Sequence, residues 1–349
     1  MRKYLLIGLL GLYLPALQAQ MQWQVGLHCG STLRIHPQYP ALPQAAWAIE
    51  VNRYRPLPAG LKAGVQLSVA SPGNPDALGQ LWGLTGSLDR PLWRRPRGGL
   101  RVAFHTGLAR LTRPYHRIHH PANTALAARW VNLTLVKLYA YRKLGAVQAQ
   151  AGVAFWHYSS AKARVPNLGI NLVMGYLALR PATELTPPAR VEASPLPRWQ
   201  GGLRLGAGRT SRKVAGGPQY WVAAATLWGS YRWRPRLRVM LGSKVFFEES
   251  LVAFFRDQDF GLAQPARSAV GVIAFTGVEL LIGRLGVRAW LGPYLRQPVL
   301  MPYRLYTELG LHYYLRHDRS ARCQPFLGVG VHAHAGEADF GEWGLGLLF

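Results

Sequence analysis

The sequence has few acidic residues and, beyond its first residues, no long hydrophobic run. Only 15 Asp and Glu stand against 41 Lys and Arg among 349 residues, which gives a formal net charge of +26. Surfaces of soluble cytosolic proteins mix both signs, so this deficit argues against that class. After the amino-terminal segment no window offers 18 uninterrupted apolar residues, so membrane-spanning helices are not expected. A hydrophobic share of 49% argues against disorder.

Cysteines are also scarce. Cys29 and Cys323 are too few for a disulfide framework. An exported chain could join them in one disulfide, and two unpaired thiols fit the sequence equally well.

The amino terminus has the pattern of a secretory signal peptide. Arg2 and Lys3 precede an almost continuous apolar run from Tyr4 to Leu14, and Ala19 supplies a small residue at the expected cleavage point. The alternative is a membrane helix, but the run is shorter than the roughly 20 apolar residues that spanning requires. The sequence therefore predicts that residues 1–19 are a signal peptide and that the chain is exported.

The remainder alternates apolar and polar residues at period two. Successive side chains of a strand point to opposite faces, so each such segment has one apolar and one polar side. A soluble β-sandwich would alternate in the same way. Segments of about 10 residues, aromatic residues near segment ends and an alternating, aromatic C-terminal stretch favour a membrane barrel instead. The alternation is clearest in 100–108, 236–247, 285–291 and 303–316, and the terminal stretch is 343–349.

We therefore expect an all-β fold, a transmembrane antiparallel β-barrel of 12 to 14 strands formed by residues 20–349 as a single domain. Residues 91–99 are expected to form one of its loops. A barrel has no open edge, so every backbone polar group can be paired inside lipid. Residence in the cell outer membrane follows from this fold and from export. The sequence gives no indication of the oligomeric state.

The positive charge is carried mainly by arginine. Arg binds phosphate through a planar fork, and the lipopolysaccharide of the outer leaflet carries phosphates, so a basic barrel rim suits it as a partner. A G+C-rich genome would also raise the Arg content. Nucleic acid is not an expected partner, because the chain is exported and its Arg residues alternate with apolar ones. The strand-borne acidic residues are expected to pair with Arg inside the barrel; they are Glu50, Glu279, Glu308 and Glu342.

One stretch, residues 153–171, has the composition of a catalytic site. His157 and Ser159 lie two apart at the end of a strand pattern, so both side chains share the face that carries Val153 and Phe155. A Ser hydroxyl becomes a nucleophile when a neighbouring base takes its proton, and an oriented His can do this. If the apolar face meets lipid, the pair would suit a substrate that is itself a lipid. The alternative is an interfacial His beside a Ser that starts a turn.

This stretch resembles the lipid A 3-O-deacylase family of outer-membrane barrels and its relatives called acyloxyacyl hydrolases. The family pattern of His-x-Ser-Asn, a short loop and Pro-Asn-x-Gly appears here as His157-Tyr158-Ser159-Ser160 and then Pro166-Asn167-Leu168-Gly169. Residues 98–180 and 325–349 carry the clearest resemblance.

The resemblance implies an outer-membrane hydrolase that cleaves an ester-linked acyl chain of lipid A without metal or cofactor. Ser159 would be the nucleophile and His157 the general base. Asn171 matches the position where better-known members have a carboxylate, and Ser160 stands where the family has Asn, a possible oxyanion donor. An Asp-to-Asn change in a serine protease triad costs about 10⁴ in turnover, and loss of one oxyanion donor about 10²–10³. A barrel of the same ancestry that has lost catalysis, acting as a structural, lipopolysaccharide-binding or pore-forming protein, is therefore the alternative.

Two other groups of histidines are candidate metal ligands. His116, His119 and His120 share one loop, but no Cys or acidic residue stands beside them. His332 and His334 share a strand face near Asp339 and Glu342. No metal site is expected at either group.

Overall fold

The computed structural model describes residues 22–57, 60–182, 197–211, 214–258, 264–299, 304–316, 323–334 and 337–349. The expected signal peptide, residues 1–19, lies outside these residues. None of the helices in the described part is long and apolar enough to cross a membrane. The described residues divide into two compact units, and the loop of residues 160–167 groups with the second.

The first unit is a closed antiparallel barrel of eight strands in sequence order. The first strand closes the ring by pairing with the eighth, from Val25 opposite Leu179 to Thr32 opposite Leu172. The strands are β1 (Gln22–Thr32), β2 (Ala46–Pro56), β3 (Lys62–Ser71), β4 (Leu81–Arg95), β5 (Gly98–Leu111), β6 (Trp130–Leu144), β7 (Val147–Ser159) and β8 (Ile170–Pro181).

The second unit is also a closed eight-stranded barrel, with two helices between its third and fourth strands. Its last strand pairs with its first, from Gly341 opposite Arg209 to Leu348 opposite Gly202. The elements are β9 (Trp199–Thr210), β10 (Tyr220–Arg234), β11 (Leu237–Glu248), α1 (Glu249–Asp257), α2 (Pro265–Ser268), β12 (Val270–Ile282), β13 (Leu285–Arg296), β14 (Leu305–Tyr314), β15 (Gln324–His334) and β16 (Glu337–Leu348).

The expected all-β, antiparallel barrel class is confirmed, but the strand count and its division differ from the expectation. The described residues form sixteen strands in two barrels of eight, where one barrel of 12 to 14 was expected. Alternation along a strand is the same in one large barrel and in two small ones. It therefore does not predict which strands pair to close a barrel. The expected loop at residues 91–99 is also wrong: β4 continues past Pro91 to Arg95, with a register shift between Pro91 and Trp93. A bulge accommodates a proline within a strand.

In each barrel the apolar residues of the alternation point outward and the polar ones inward. On β14, Leu305 and Leu309 are exposed, whereas Tyr306, Glu308 and His312 on the other face are buried. Large exposed apolar side chains cover both outer walls, which is the reverse of a soluble core and matches a surface solvated by lipid.

The interior of each barrel is filled by side chains that include paired charges. In the first barrel, Lys137 Nζ lies 2.6 Å from Glu50 Oε1, and Arg101 Nε lies 2.6 Å from Asp89 Oδ1. An eight-stranded barrel has room for little more than its own side chains. Buried charges require such partners, because an unpaired ion is costly to remove from water.

The second barrel has a larger ionic network. Lys244 Nζ contacts both Glu308 Oε2 at 2.7 Å and Glu342 Oε2 at 2.6 Å, and Arg238 Nη1 lies 2.9 Å from Glu279 Oε2. Arg204 Nη2 also contacts Glu308 and Glu342. Three of the four strand-borne glutamates therefore pair with Arg inside the barrel as expected, whereas Glu50 pairs with Lys137.

Candidate active site on the outer wall of the first barrel

The end of β7 carries two polar side chains on the outward face. Val153 and Phe155 are exposed outward, and Trp156 and Tyr158 are buried inward. His157 continues the outward row at period two and Ser159 follows it, each of them partly buried. The structure therefore gives both residues the face that the alternation predicted.

His157 is paired with Asn171 across two adjacent strands. The two residues are directly opposite each other in the β7–β8 ladder. His157 Nδ1 lies 2.7 Å from Asn171 Oδ1. An amide oxygen can only accept, so His157 donates from Nδ1–H and keeps a lone pair on Nε2. This is the tautomer that a general base requires, and Asn171 fixes the plane of the ring.

Strand β6 extends the polar surface on the other side of β7. Thr134 lies opposite His157, and Asn132 lies opposite Ser159. The Thr134 hydroxyl donates to Asn132 Oδ1 at 2.9 Å, and Asn132 Nδ2 donates to the carbonyl oxygen of Gly107 at 3.0 Å. Sequence analysis did not select Thr134, because only the strand pairing brings it beside His157. These outward-facing polar residues, called here the polar patch, are Asn132, Thr134, His157, Ser159 and Asn171.

The loop after Ser159 explains the Pro-Asn-x-Gly motif in physical terms. Asn167 Oδ1 accepts from the Ser160 backbone N–H at 2.8 Å and from the Ser160 hydroxyl at 2.9 Å. The backbone N–H of Leu168 donates to the carbonyl oxygen of Ala125 at 2.8 Å, which ties the loop to the β5–β6 connection. Ser160 therefore serves the loop itself, with its hydroxyl and N–H both bonded to Asn167.

Gly169 lets the backbone pass close to the imidazole of His157. Its φ of +75° is a left-handed conformation that favours glycine. A Cβ at this position would lie 3.4 Å from His157 Cε1 and 3.3 Å from the carbonyl oxygen of Tyr158. Glycine thus allows the backbone to turn closely past the ring before Asn171 begins its pairing.

The polar patch lies at the end of the barrel that carries the long connections. Residues 33–45, 72–80, 112–129 and 160–169 connect strands at this end, whereas the connections β2–β3, β4–β5 and β6–β7 at the other end are short. Outer-membrane barrels have this asymmetry, with longer loops on the extracellular side.

An apolar groove lies on the same outer wall, further from the long connections. Asn171, Val173, Gly175 and Leu177 form the outward row of β8, and Gly175 has no side chain to fill the wall. A Cβ built on Gly175 would find its nearest neighbour, the carbonyl oxygen of Cys29, at 3.6 Å. The groove, called here the outer groove, is bordered by Leu27, Cys29, Trp47, Ile49, Ala151 and Leu177.

The remaining expected groups have separate positions. The rings of His116 and His119 lie 4.6 Å apart in the exposed β5–β6 connection. His332, His334 and Asp339 come together inside the second barrel. Cys29 and Cys323 are both exposed free thiols.

Comparison with known protein families finds a match in the second barrel. Residues 199–349 match the family described as acyloxyacyl hydrolase, C-terminal domain. The match contains β9 to β16 and does not contain His157, Ser159 or Asn171. A comparison with curated proteins finds no match.

Solved structures that resemble this chain are outer-membrane barrels at low similarity. The siderophore receptor PirA of Pseudomonas aeruginosa is 12% identical, with 94% of this chain and 61% of the receptor covered and a TM-score of 0.25. A mutant porin of Rh. blastica is 9% identical, with 94% and 99% covered and a TM-score of 0.20. CdiB from Acinetobacter baumannii is 8% identical, with 95% and 60% covered and a TM-score of 0.20. This chain therefore spans about 61% of the receptor and 60% of CdiB, and no activity is inferred from these likenesses.

The family resemblance seen in the sequence is thus confirmed for the second barrel, which matches the acyloxyacyl hydrolase C-terminal domain.

Proposed function

We propose that this protein is an outer-membrane esterase that removes an ester-linked acyl chain from lipid A at the polar patch. The observation that carries the proposal is the hydrogen bond of 2.7 Å between His157 Nδ1 and Asn171 Oδ1, formed on a lipid-facing wall two residues from Ser159. A polar, oriented imidazole on such a wall has little structural purpose, whereas a membrane-resident ester brings its carbonyl to that surface.

The reaction runs in two stages. Nε2 of His157 takes the proton of Ser159 as the hydroxyl attacks the ester carbonyl. The tetrahedral intermediate collapses when the imidazolium gives this proton to the leaving ester oxygen, which departs as an alcohol. Water then attacks the acyl-Ser159 ester by the same proton transfers, which releases a fatty acid and restores Ser159. Neither step requires a metal or a cofactor.

Asn171 orients the imidazole but cannot neutralise its charge. A carboxylate at this position would stabilise the imidazolium that forms during attack, and a neutral amide does not. The expected enzyme is therefore slow compared with a member of the family that has the carboxylate.

The outer groove supplies a place for the acyl chain. Gly175 follows Asn171 by four residues on the outward row of β8, about 13 Å along the strand at the usual rise per residue. An acyl chain whose ester lies at the polar patch can extend over Val173 and into the gap above Gly175. Burial of its methylenes there contributes about 0.8 kcal/mol for each CH₂ removed from water.

A specific observation also favours a second candidate, a binding barrel without catalysis. Asn171 replaces the carboxylate, and both polar groups of Ser160 are occupied by Asn167. In that case the polar patch would hold a lipid A headgroup without cleaving it. A pore is a weaker candidate, because ion pairs and aromatic side chains fill the described interior of both barrels.

Mass spectrometry of lipid A from cells that express the chain distinguishes these candidates. Wild type should remove an acyl chain, and Ser159→Ala should not. Ser31→Ala is the matched control, since Ser31 is an exposed outward serine at the same end of the neighbouring β1. An unchanged lipid A profile from wild type, with the protein folded in the outer-membrane fraction, would refute the esterase and leave the binding barrel.

A further inference from the structure

The second barrel contains a convergent group of side chains that the esterase chemistry does not use. His332 and His334 lie two apart on β15, so both point inward, and both side chains are buried. Nε2 of His332 lies 3.1 Å from the Tyr294 hydroxyl, and Nε2 of His334 lies 2.6 Å from the same oxygen. Two imidazole nitrogens on one strand therefore converge on a single point.

A β-bulge brings a carboxylate to this point. His332 pairs with Phe340 and Ala333 pairs with Ala338, so Asp339 is the extra residue of β16. Phe340 and Glu342 face inward, and regular alternation would turn Asp339 outward. Because of the bulge, Asp339 Oδ2 instead accepts a hydrogen bond from Nδ1 of His334. Bulges re-aim side chains in this way and recur beside functional sites.

The bulge is itself held in place. The Thr210 hydroxyl donates to the backbone carbonyl oxygen of Asp339 at 2.9 Å. A second register shift, between Val272 and Ile273, lies in the ladder of β12 with β13, next to the strand position that carries Tyr294. The backbone is thus irregular on both sides of the cluster, which a merely space-filling interior does not require.

The geometry points to a site for a divalent transition-metal ion, bound by the Nε2 atoms of His332 and His334. Asp339 accepts the Nδ1 proton of His334, which leaves the lone pair of that ring on Nε2, facing the centre of the cluster. A carboxylate that holds the far nitrogen of a ligating histidine is a common arrangement around zinc. Tyr294 and water are available to complete the coordination.

Asp339 is the carboxylate in contact with the site and attracts a cation. Elsewhere in the barrel interior, three basic side chains share the carboxylates of Glu308 and Glu342; they are Lys244, Arg204 and Arg288. Lys162 Nζ lies 3.9 Å from Asp339 Oδ1 and is 35% exposed. The Asp339 side chain is 16% exposed, which gives an ion a route from solvent.

Imidazole ligands select the class of ion. Two nitrogen donors favour Zn²⁺, Ni²⁺ or Cu²⁺ over Mg²⁺ and Ca²⁺, which prefer sites built from oxygen. The site is independent of the esterase proposal, because it shares no residue with the polar patch.

Isothermal titration of the full-length chain with ZnCl₂ tests the site. The protein is folded in detergent, carries no histidine tag and is freed of metal with a chelator that is then removed. We expect one equivalent of Zn²⁺ to bind and Mg²⁺ not to compete. The double variant His332→Gln/His334→Gln should lose at least about 100-fold in affinity, and Asp339→Asn about 10- to 100-fold.

The exposed loop histidines provide the matched control. The triple variant His116→Gln/His119→Gln/His120→Gln should bind Zn²⁺ as wild type does. Loss of binding in this variant, or its persistence in the His332→Gln/His334→Gln variant, would overturn the proposal, as would wild type that binds no Zn²⁺. If the double variant fails to fold, the absorption spectrum of Co²⁺ added to wild type decides instead: nitrogen coordination in a low-symmetry site gives intense visible bands, and their absence counts against the site.

Discussion

The two barrels place the histidines of their candidate sites on opposite sides of the wall. Near the end of β7 in the first barrel, His157 faces outward, whereas His332 and His334 near the end of β15 in the second face inward. Both strands alternate inward and outward side chains. A shift of one position along the strand therefore decides whether a polar side chain faces the barrel interior or the outer surface. An outward imidazole is available to a lipid, and an inward pair is available to an ion or a proton.

The histidines also differ in what orients them. A neutral amide, Asn171, holds His157 from the adjacent strand by regular pairing. A carboxylate, Asp339, holds His334 because a bulge turns it inward. The pairing of His157 with Asn171 needs only the regular strand register, whereas the pairing of His334 with Asp339 needs a local break in that register. Chemistry at a barrel wall can therefore be built by either route.

The largest expected effect concerns the outward histidine. His157→Ala removes the proposed base, so we expect kcat/KM for ester hydrolysis to fall at least about 10³-fold. The measurement is fatty-acid release from lipid A in mixed micelles. His119→Ala, in the exposed loop, should keep the wild-type rate. Equal activity of both variants would contradict a reaction centre on the first barrel.

The next effect tests whether the interior of the first barrel depends on its ion pairs. Lys137→Met leaves the Glu50 carboxylate without its closest cation, and breaking a buried pair costs about 3–5 kcal/mol. Urea unfolding in detergent measures the loss in the free energy of unfolding. The double variant Glu50→Gln/Lys137→Met should recover most of it; a double variant as unstable as Lys137→Met would indicate lost packing instead of an uncompensated charge.

The third prediction concerns a variant that gives His157 of the first barrel a carboxylate partner, as His334 has in the second barrel. Asn171→Asp places a carboxylate where it can stabilise the imidazolium of His157, and its size matches the existing geometry. We expect turnover to rise about 10- to 100-fold, within the roughly 10⁴ that the reverse change costs in a serine protease. Asn171→Leu, which cannot accept the Nδ1 proton, should lower turnover. A drop with Asp as well would show that Asn171 does not act as the orienting group.

The smallest expected effect concerns the outer groove. Gly175→Leu fills the gap in the wall, so hydrolysis of long acyl chains should fall about tenfold while short-chain esters are spared; the expected loss corresponds to burial of about two methylenes. The same substitution at Gly86, an outward glycine of β4 with nothing within 4 Å, is the control. Equal losses for both chain lengths would assign Gly175 a structural role.

The strand class and the faces of the strands could be predicted from the sequence, because alternation is a local property. Leu305 and Leu309 point outward and Glu308 inward as the pattern indicated. The number of barrels could not be predicted from the sequence, because closure depends on pairing between strands that are far apart in the chain, such as β1 and β8. Asp339 shows the same limit at the level of one residue: alternation alone assigns it to the outer wall, and only the bulge brings it to His334.

Part of the candidate site was also accessible from the sequence. The spacing of His157 and Ser159 fixed their common face, and the family pattern selected Asn171. Thr134 was not found, because its position beside His157 depends on the register between β6 and β7. The resemblance marks Ser160 only as a departure from the family pattern, and its bonds to Asn167 depend on the fold of the loop.

Because each sheet closes on itself, the two barrels of this chain can evolve separately. β8 returns to β1 and β16 returns to β9, so among the described strands no ladder joins one ring to the other. A lineage can therefore alter, exchange or silence one half of the gene while the hydrogen bonding of the other remains intact. Two unrelated selective pressures can then act on a single chain, one on each barrel.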